Sequence, residues 1–430
     1  MRTALKFVLA ACLSFTLLSP LPGADWPCWR GPAGTGVSAE KGLLATWPKD
    51  GPKLVWTSKE AGNGFAGLAV VGGNVYTMGA IDKDEFAIAL DSRGKKLWST
   101  KIGPVHDWAA NQWSRGPNST PTVDGELVYC LSSKGDLLCC NKADGAKVWS
   151  KNLPTEYSAE VNPVGGGIEK FGWGYSWSPI VDGDQLVLTP GGPKGLIAAL
   201  DKKTGATLWQ SKAVTDQATY STATIATIGG VKQYVAMTQH GVAAVSAGKG
   251  DLLWEWKRGD EYPDVVCPSP VVRDGLVYVT AGNGGGYTTL KIEGTGGKFT
   301  VIEANAGKAI ANRQGGVVLV GKYLYGHHED RSWMCQDFAT GKIVAGKKVR
   351  QGLKAGGVLA ADGKLYILDE QGNAGMLEAS PAGYKQLGMF VLPVQAKKAK
   401  PSGKVWTHPS LSDGKLYLRD QELVFCYEVK

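Results

Sequence analysis

Three observations predict an all-β fold that repeats one four-stranded antiparallel unit. After the N-terminal segment, long stretches of helical periodicity are missing, and short runs of Val, Ile, Leu and Tyr recur between Asp-Gly and Lys-Gly turns. The 59 glycines supply many tight turns, and the 15 tryptophans supply large flat side chains to bury. A tyrosine that returns at a nearly constant interval gives the length of the unit.

The recurring tyrosine marks the end of one strand in each copy. From the first copy to the last, seven intervals average about 49 residues, close to the ~40–50 residues of a propeller blade. In the third copy a valine takes the place of the tyrosine. The positions are Tyr76, Tyr129, Val187, Tyr234, Tyr278, Tyr325, Tyr366 and Tyr417. The sequence therefore predicts an eight-bladed β-propeller.

Each copy continues through a turn into a strand that carries a tryptophan. The clearest copy runs from Ala199 to Trp209, with Thr204-Gly205 at its turn. We expect the glycine to reverse the chain, and the side chains of Asp201 and Thr204 to bind free amides of the turn. The tryptophans expected on outermost strands are Trp98, Trp149, Trp209 and Trp254. In the sixth copy we expect Val344 at this position.

The last copy, which starts at Val405, stops after its third strand at Phe425-Cys426-Tyr427. A fourth strand is available at the other end of the chain, as Lys53-Leu54-Val55-Trp56. Closing the ring in this way removes two exposed sheet edges. We therefore expect an N-terminal extension over residues 25–51, followed by the propeller over residues 52–430.

Residues 1–24 have the pattern of an export signal. Arg2 and Lys6 precede an apolar run from Phe7 to Leu18, and Gly23-Ala24 offers small residues for cleavage. The run is too short for a membrane helix, and no other transmembrane segment is predicted. We expect a periplasmic or secreted protein. Lipid anchoring at Cys12, within Leu9-Ala10-Ala11-Cys12, is the alternative.

The charge of the chain gives no sign of a nucleic-acid partner. The formal net charge of +8 loses two positive charges with the export signal, and the rest are scattered. The densest run, Lys397-Lys398-Ala399-Lys400, lies between Pro and Gly residues and is expected to be a solvated loop. We expect a monomer that binds an envelope protein or a small-molecule or carbohydrate ligand.

Propeller topology divides the connections between two faces. Turns between first and second strands and between third and fourth strands lie on one face, and in this sequence they are short. Loops between second and third strands share the other face with the links between blades, and these are long and varied in chemistry. Variable loops on a rigid scaffold are where binding usually occurs, so any ligand is expected on this loop-rich face.

Six residues of the loop-rich face are the candidates for a ligand site at the mouth of the central channel. Tryptophans can stack on a sugar, a quinone or a peptide, arginine can bind an anion, and histidines can hydrogen-bond a ligand. The candidates are Trp113, Arg115, Trp177, His240, His327 and His408. Closing the channel by mutual packing of these groups is the alternative.

No catalytic residue and no metal site is predicted. His327-His328-Glu329-Asp330 has metal-capable side chains, but consecutive residues rarely converge on one ion.

Over nearly its whole length after the export signal, the chain resembles the exported bacterial PQQ-like repeat propellers. The segments Asp25–Pro32, Arg115–Pro121 and Tyr417–Gln421 are similar to stretches of these proteins. The turn and tryptophan at 199–209 resemble the tryptophan-docking motif of the quinoprotein alcohol dehydrogenase-like superfamily, which includes PQQ-dependent dehydrogenases and the barrel-assembly lipoprotein BamB. The resemblance implies the propeller shape, and the cofactor does not follow from it.

Two features bear on whether a cofactor binds. In some quinoprotein dehydrogenases a disulfide between neighbouring cysteines holds the cofactor, and Cys139-Cys140 is such a pair. In the repeat alignment, however, this pair takes the place of Ala199-Leu200, and Cys335 and Cys426 take the alanine position in their own copies. We therefore expect small buried residues here. The calcium ligands of those enzymes, a Glu/Asn/Asp set, have no match in this chain.

The sequence thus favours a non-catalytic binding or assembly propeller of the cell envelope that binds its ligand or protein on the loop-rich face. The alternative is a PQQ-dependent oxidoreductase acting on sugars or alcohols, with PQQ and calcium as its cofactors.

Overall fold

The protein is described by a computed structural model that covers residues 25–113, 115–308, 310–329, 332–345, 352–397 and 400–430. The predicted export signal and Cys12 lie outside the described residues. Within them, the chain forms eight sheets, each with four antiparallel strands arranged as a propeller blade and one extended by a short parallel strand, and the predicted fold is confirmed.

The strands of each blade follow one another along the chain, from the innermost to the outermost. Two strands precede the first blade: β1 (Val37–Ser38) and β2 (Lys53–Ser58). Blades 1 to 4 consist of β3 (Ala69–Val71), β4 (Asn74–Ile81), β5 (Asp84–Leu90), β6 (Lys96–Pro104); β7 (Thr122–Asp124), β8 (Leu127–Leu131), β9 (Asp136–Asn141), β10 (Lys147–Asn152); β11 (Ile180–Asp182), β12 (Gln185–Leu188), β13 (Ala198–Asp201), β14 (Thr207–Gln210); and β15 (Thr224–Ile228), β16 (Val231–Thr238), β17 (Gly241–Ser246), β18 (Leu252–Lys257).

Blades 5 to 8 consist of β19 (Val271–Arg273), β20 (Leu276–Ala281), β21 (Gly286–Thr295), β22 (Lys298–Gly307); β23 (Val317–Val320), β24 (Tyr323–His327), β25 (Trp333–Asp337), β26 (Ile343–Ala345); β27 (Gly356–Ala361), β28 (Lys364–Asp369), β29 (Asn373–Glu378), β30 (Gln386–Val391); and β31 (Ser410–Ser412), β32 (Lys415–Asp420), β33 (Leu423–Glu428) with β2. A short helix, α1 (Leu153–Tyr157), lies in the link after blade 2.

The recurring tyrosine occupies the same place on the second strand of its blade. Tyr76 pairs with Ala69 in blade 1, and Tyr417 pairs with Ser410 in blade 8. Val187 holds this place in blade 3, where it pairs with Ile180. Each of these side chains is buried, because the second strand lies between its neighbours in the sheet and between two blades.

The outermost tryptophans fill the seams between blades. Trp149 on β10 packs over the turn of blade 3, where Gly205 has a φ of +73° and an added Cβ would lie 2.8 Å from the indole. The Asp201 carboxylate accepts from the amides of Lys203 and Thr204, as predicted. The same arrangement joins Trp56 to Gly94, Trp98 to Gly145, and Trp209 to Gly250. Glycine is required there because any side chain would occupy the volume of the indole.

The other seams depart from this pattern. Blade 5 has a long β21–β22 hairpin in place of the glycine turn, and the Trp254 indole donates to the Gln233 side chain of its own blade at 2.6 Å. In blade 6 the prediction for Val344 is wrong by one residue, since Ala345 pairs with Cys335 as Trp209 pairs with Ala199.

Blade 7 receives its tryptophan from outside the blade. Gly388 holds the tryptophan position, and an added Cβ there would lie 2.5 Å from Trp47 of the N-terminal extension. The Trp47 ring lies 5.9 Å from Tyr366, much as Trp98 lies 6.1 Å from Tyr76. The extension therefore completes the seam between blades 7 and 8.

The ring closes as predicted, because β2 pairs with β33 and supplies the outermost strand of blade 8. Arg419 holds the closing seam from inside. Its fully buried guanidinium donates to carbonyl oxygens of blade 1 and the link before it, including Ala66 at 2.8 Å and Met78 at 2.9 Å.

The adjacent cysteines occupy separate environments. Cys139 and Cys140 are both fully buried, on opposite faces of β9, and pack into two different hydrophobic clusters. Cys139 pairs with Trp149, Cys335 pairs with Ala345, and Cys426 pairs with Trp56, so all three hold the same repeat position. Burial raises the pKa of both Cys139 and Cys140 to about 12. These cysteines pack as small core residues.

The N-terminal extension enters the central channel. Asp25 accepts from Gly72 and Asp362 accepts from Leu43, both at turns of the short-turn face, so residues 25–43 enter and leave by that face. In between, Trp26 pairs with Val70 of blade 1, and Val37 pairs with Ala360 of blade 7. The extension thus fills the channel from the short-turn face, the face opposite the loop-rich face. Among the described residues, we find no helix with the length and apolar character needed to cross a membrane.

Candidate binding site

A cavity of about 310 Å³ lies at the mouth of the central channel on the loop-rich face. It is lined by residues from the links that precede blades 1, 2, 3, 4, 5, 6 and 8. The link before blade 7 lies partly outside the described residues. A cavity shared by links from all around a ring must lie on its axis, and we call it the funnel.

The floor of the funnel is Trp29 of the N-terminal extension. Its indole N–H donates to Ser269 at 3.3 Å, and its ring meets His408 edge-on at 4.6 Å between centroids. Beneath it, the buried Arg30 guanidinium donates to the carbonyl oxygen of Thr35 at 2.7 Å and to that of Val317 in blade 6. These contacts to different blades fix the floor on the axis.

One wall of the funnel is aromatic. Trp406 lies at the centre of this wall, with Trp113 5.4 Å away on one side and Phe65 5.1 Å away on the other. All three side chains are partly exposed. Because they come from three separate links, the sheet scaffold and not the local sequence brings them together.

Trp173 and Tyr220 form a second wall. The Trp173 indole donates to Val164 at 3.0 Å, and the Tyr220 hydroxyl accepts from the Trp173 amide at 3.1 Å. Trp108 supports this wall from behind, with its ring 5.3 Å from Trp173. Each ring is therefore held in place before any ligand arrives, which reduces the entropic cost of binding.

The polar part of the funnel centres on an ion pair. The Arg313 guanidinium lies 2.7 Å from a carboxylate oxygen of Asp264, and the other oxygen of Asp264 accepts from the Val265 amide at 2.8 Å. The Asp264 side chain is 13% exposed and that of Arg313 is 42% exposed, so the pair meets solvent through the arginine. Asn118 and Gln314 add amide groups to the lining.

The two histidines of the funnel are neutral at pH 7. Burial, reinforced by the charge of Arg30, lowers the pKa of His408 to about 4. Its Nε2–H donates to the Gln314 carbonyl at 3.3 Å. Burial also lowers the pKa of His106, which bonds the Gly172 carbonyl at 3.3 Å. With Asp264 and Arg313 paired, the described lining carries no net charge.

Of the six predicted site residues, the funnel brings together two, Trp113 and His408. The expectation that all six border one mouth is therefore not met. Trp177 is buried in the core, where its ring meets Tyr175 at 6.0 Å, so it packs and does not reach the channel. His327 is 6% exposed and lies edge-on to Trp333 at the top of blade 6.

Arg115 and His240 do not line the funnel. Arg115 donates to the Asp82 carbonyl and lies 3.6 Å from Asp107, which ties the link after blade 1 to that blade. His240 lies between Glu261 at 3.0 Å and Asp216 at 3.5 Å on the outer part of the face. A ligand role for any of the six residues stays a prediction.

The residues that sequence reasoning missed are Trp29, Trp406, Asp264 and Arg313. One signal was present for the first of these: Asp25–Pro32 carries two tryptophans and has no counterpart among the eight copies. Large aromatic side chains are unfavourable when exposed to water, so a segment outside the repeat must bury them. The channel is the space that the repeats leave open for this. For Asp264 and Arg313, which lie in different links, the sequence holds no such signal.

The lining does not fit PQQ with calcium. PQQ carries carboxylates and its calcium needs several oxygen ligands, whereas the carboxylate that lines the funnel, Asp264, is taken up by Arg313. Among the described residues, no three His, Cys, Asp or Glu side chains cluster so as to hold a metal ion. The buried, separately packed Cys139 and Cys140 do not reach the funnel either.

The fold resembles that of several solved structures. BamB from Moraxella catarrhalis is 15% identical, with a TM-score of 0.53 over 82% of this chain and 94% of that one. The quinohemoprotein alcohol dehydrogenase of Comamonas testosteroni is 14% identical, with a TM-score of 0.63 over 94% and 80%. A europium-containing methanol dehydrogenase is 13% identical, with a TM-score of 0.63 over 92% and 89%. At these identities the likeness concerns the fold alone.

Sequence comparison is more specific. The outer membrane protein assembly factor BamB of Yersinia pestis is 25% identical over 214 residues, which cover 48% of this chain and 49% of that protein. The match thus spans about half the length of this curated relative. A family model described as outer membrane protein assembly factor BamB matches residues 83–346, more than half of the chain. The chain belongs to this BamB family of repeat propellers.

Proposed function

We propose that the protein is a non-catalytic binding propeller of the cell envelope, which takes a ligand or a protein segment into the funnel of its loop-rich face. The observation that carries the proposal is the funnel itself, a preformed cavity on the axis with aromatic walls and a few polar groups. Repeat folds commonly present such surfaces without performing chemistry on what they bind.

The lining supports binding over catalysis. Both histidines are neutral and donate to backbone carbonyls or pack against rings, and the one lining carboxylate is paired with an arginine. A general base works best when its pKa lies near the working pH, whereas the pKa of His408 is lowered to about 4 and the carboxylate of Asp264 lies in an ion pair.

The family and the predicted export signal support a location of the protein in the cell envelope. The matching relatives are named as outer membrane assembly factors, and the predicted export signal agrees with a site of action outside the cytoplasm. An envelope assembly role, with a protein partner, is therefore the context in which we place the funnel. The propeller supplies the rigid ring, and the links supply the binding surface.

Retention of envelope components on the immobilised protein tests this proposal. The wild type is compared with a Trp113→Ala/Trp406→Ala double variant, and bound proteins and bound carbohydrate are both measured. Because the two tryptophans form the centre of the aromatic wall, we expect the double variant to lose most of the funnel-dependent material.

The matched control is Trp256→Ala, which removes a half-buried tryptophan from the outermost strand of blade 4, far from the axis. It should retain the same components as the wild type. If the double variant retains everything that the wild type retains, while both unfold at similar temperatures, the funnel is not the binding site and the proposal fails.

A further inference from the structure

We propose that the funnel binds a neutral sugar ring, such as one unit of an uncharged oligosaccharide. This inference rests on the proposed function and names the chemical class of its ligand. Three properties of the lining lead to it: flat aromatic faces, planar polar side chains in the same cavity, and the absence of net charge from the described lining.

The aromatic faces suit the apolar side of a sugar ring. The rings of Trp113 and Trp406 are 5.4 Å apart and inclined by 32°, so the two indoles pack against each other, and we call their partly exposed surface the platform. A pyranose presents C–H groups on its two faces and hydroxyls around its edge. Its face can cover an indole, which removes apolar area from water without burying hydroxyls against carbon.

The polar groups suit the edge of the same ring. The Asp264 carboxylate can accept, the Arg313 guanidinium can donate, and the Asn118 and Gln314 amides can do both. Neighbouring hydroxyls of a sugar each donate and accept, so a carboxylate, a guanidinium and an amide can satisfy them in pairs. The exposed Arg313 shows that this part of the lining meets water when no ligand is bound.

The charge of the lining excludes the common anionic ligands. Among the described lining residues the ionised groups are Asp264 and Arg313, which neutralise each other at 2.7 Å. The pKa of His408 is lowered to about 4, so this residue adds no positive charge at pH 7. A phosphate or a carboxylate would enter without an unpaired cation in the lining to contact it, since the Arg30 guanidinium lies beneath the floor and donates to backbone carbonyls.

An apolar side chain of a peptide is the competing occupant. It would match the platform of Trp113 and Trp406, but it would leave the polar groups of Asp264 and Arg313 without a hydrogen-bonding partner from the ligand. The volume of about 310 Å³ lies at the small end of ligand cavities, which suits one ring with further units extending into solvent.

Isothermal titration calorimetry of the full chain tests the proposal with defined probes. The neutral probes are cellotriose, maltotriose and tri-N-acetylchitotriose, the anionic probe is trigalacturonic acid, and the peptide probe is an N-acetylated Trp-Gly-Trp amide. We expect saturable binding of at least one neutral trisaccharide, and binding of the anionic probe at least about tenfold weaker.

Variants locate the site. Trp113→Ala should weaken the binding of the neutral trisaccharide about tenfold, because half of the platform is lost, and Trp113→Phe should weaken it less. Arg313→Met should also weaken it several-fold, since it removes the exposed donor. Trp256→Ala is again the control and should leave the affinity unchanged. Melting temperatures show whether each variant is folded.

The outcomes separate this inference from the proposed function. Failure of all neutral sugars to bind, with funnel-dependent retention of envelope components intact, overturns the sugar assignment and leaves the binding propeller standing. Binding of the peptide probe alone overturns it in favour of a protein segment. If no neutral sugar binds and no retention of envelope components depends on the funnel, both proposals are contradicted.

Discussion

The seam between blades 2 and 3 and the seam between blades 5 and 6 each contain the same type of glycine turn. Asp201 with Thr204-Gly205 and Asp337 with Thr340-Gly341 have matching hydrogen bonds, and both glycines have positive φ. In the first seam the flat group that covers the glycine is Trp149, whose indole donates to the Lys202 carbonyl at 3.2 Å.

In the second seam tyrosines replace the tryptophan. Tyr287 stacks on Tyr278 at 5.4 Å and donates its hydroxyl to the Gly341 carbonyl at 3.0 Å. Gln336 joins the two, accepting from Tyr278 at 2.8 Å and donating to Gly341 at 2.7 Å. The comparison shows that different flat side chains, a tryptophan or stacked tyrosines, can cover the glycine turn of a seam and hydrogen-bond its backbone.

The largest effect is expected from Trp149→Ala. The variant loses the apolar area of the indole and leaves a gap between two blades, so the free energy of unfolding should fall by about 3 kcal/mol. The Lys202 carbonyl keeps a partner, because the Tyr129 hydroxyl also donates to it at 3.0 Å. Urea unfolding measures the change, and a loss below about 1 kcal/mol would mean that the indole does not hold the seam.

The second prediction concerns how the stability contributed by His327 of blade 6 depends on pH. Burial, with the charges of His328 and Lys354, lowers the pKa of His327 to about 4. Between pH 6.5 and pH 4 the unfolded chain therefore binds a proton that the folded chain does not. Stability falls as the pH falls through this window, by roughly 2–3 kcal/mol from this residue.

Comparison with His327→Gln isolates that contribution. Burial raises the pKa of Glu85 to about 7, which gives the opposite pH dependence, but Glu85 is common to both proteins and cancels in the difference. The wild type should lose stability relative to the variant between pH 6.5 and pH 4, measured by urea unfolding at several pH values. A constant difference across this range would contradict the lowered pKa.

The third prediction compares two glycine turns of blade 3. Gly183 has a φ of +61° and open space around an added Cβ, so Gly183→Ala should cost about 1 kcal/mol from the backbone alone. Gly205→Ala adds a contact with Trp149 and should cost about 2 kcal/mol.

A double-mutant cycle sharpens this test. When Trp149 is already alanine, Gly205→Ala should cost no more than Gly183→Ala, because the contact has been removed. Equal costs of Gly205→Ala in both backgrounds would show that the turn does not receive the indole.

The smallest effect is expected from Tyr287→Phe in the second seam. The ring stays stacked on Tyr278, while the Gly341 carbonyl keeps the Gln336 amide as a donor. Loss of one of two hydrogen bonds to this carbonyl should lower the free energy of unfolding by about 1 kcal/mol. A loss as large as that of Trp149→Ala would mean that the hydroxyl, and not the stacked ring, holds this seam.

Sequence reasoning predicted the ring well because the evidence for it repeats. Seven strand-ending tyrosines, the valine that replaces the eighth, and several glycine–tryptophan pairs each place one blade, and an error in one copy, such as Val344 for Ala345, does not disturb the others. The candidate site has no such redundancy. Trp113 and His408 were found because each lies in a link or at the start of an innermost strand, but the same criterion also selected Trp177 and His327, which are buried.

The sequence by itself determined the all-β class, the number of blades, the positions of the outermost tryptophans and the closure of the ring by Lys53–Ser58, since these depend on local periodicity and turn chemistry. The tertiary structure alone decided that Trp29 forms the floor of the channel, that Trp47 completes blade 7, and that Asp264 meets Arg313. These contacts join segments far apart in the chain, and their geometry depends on how eight twisted sheets pack around one axis, which no local pattern encodes.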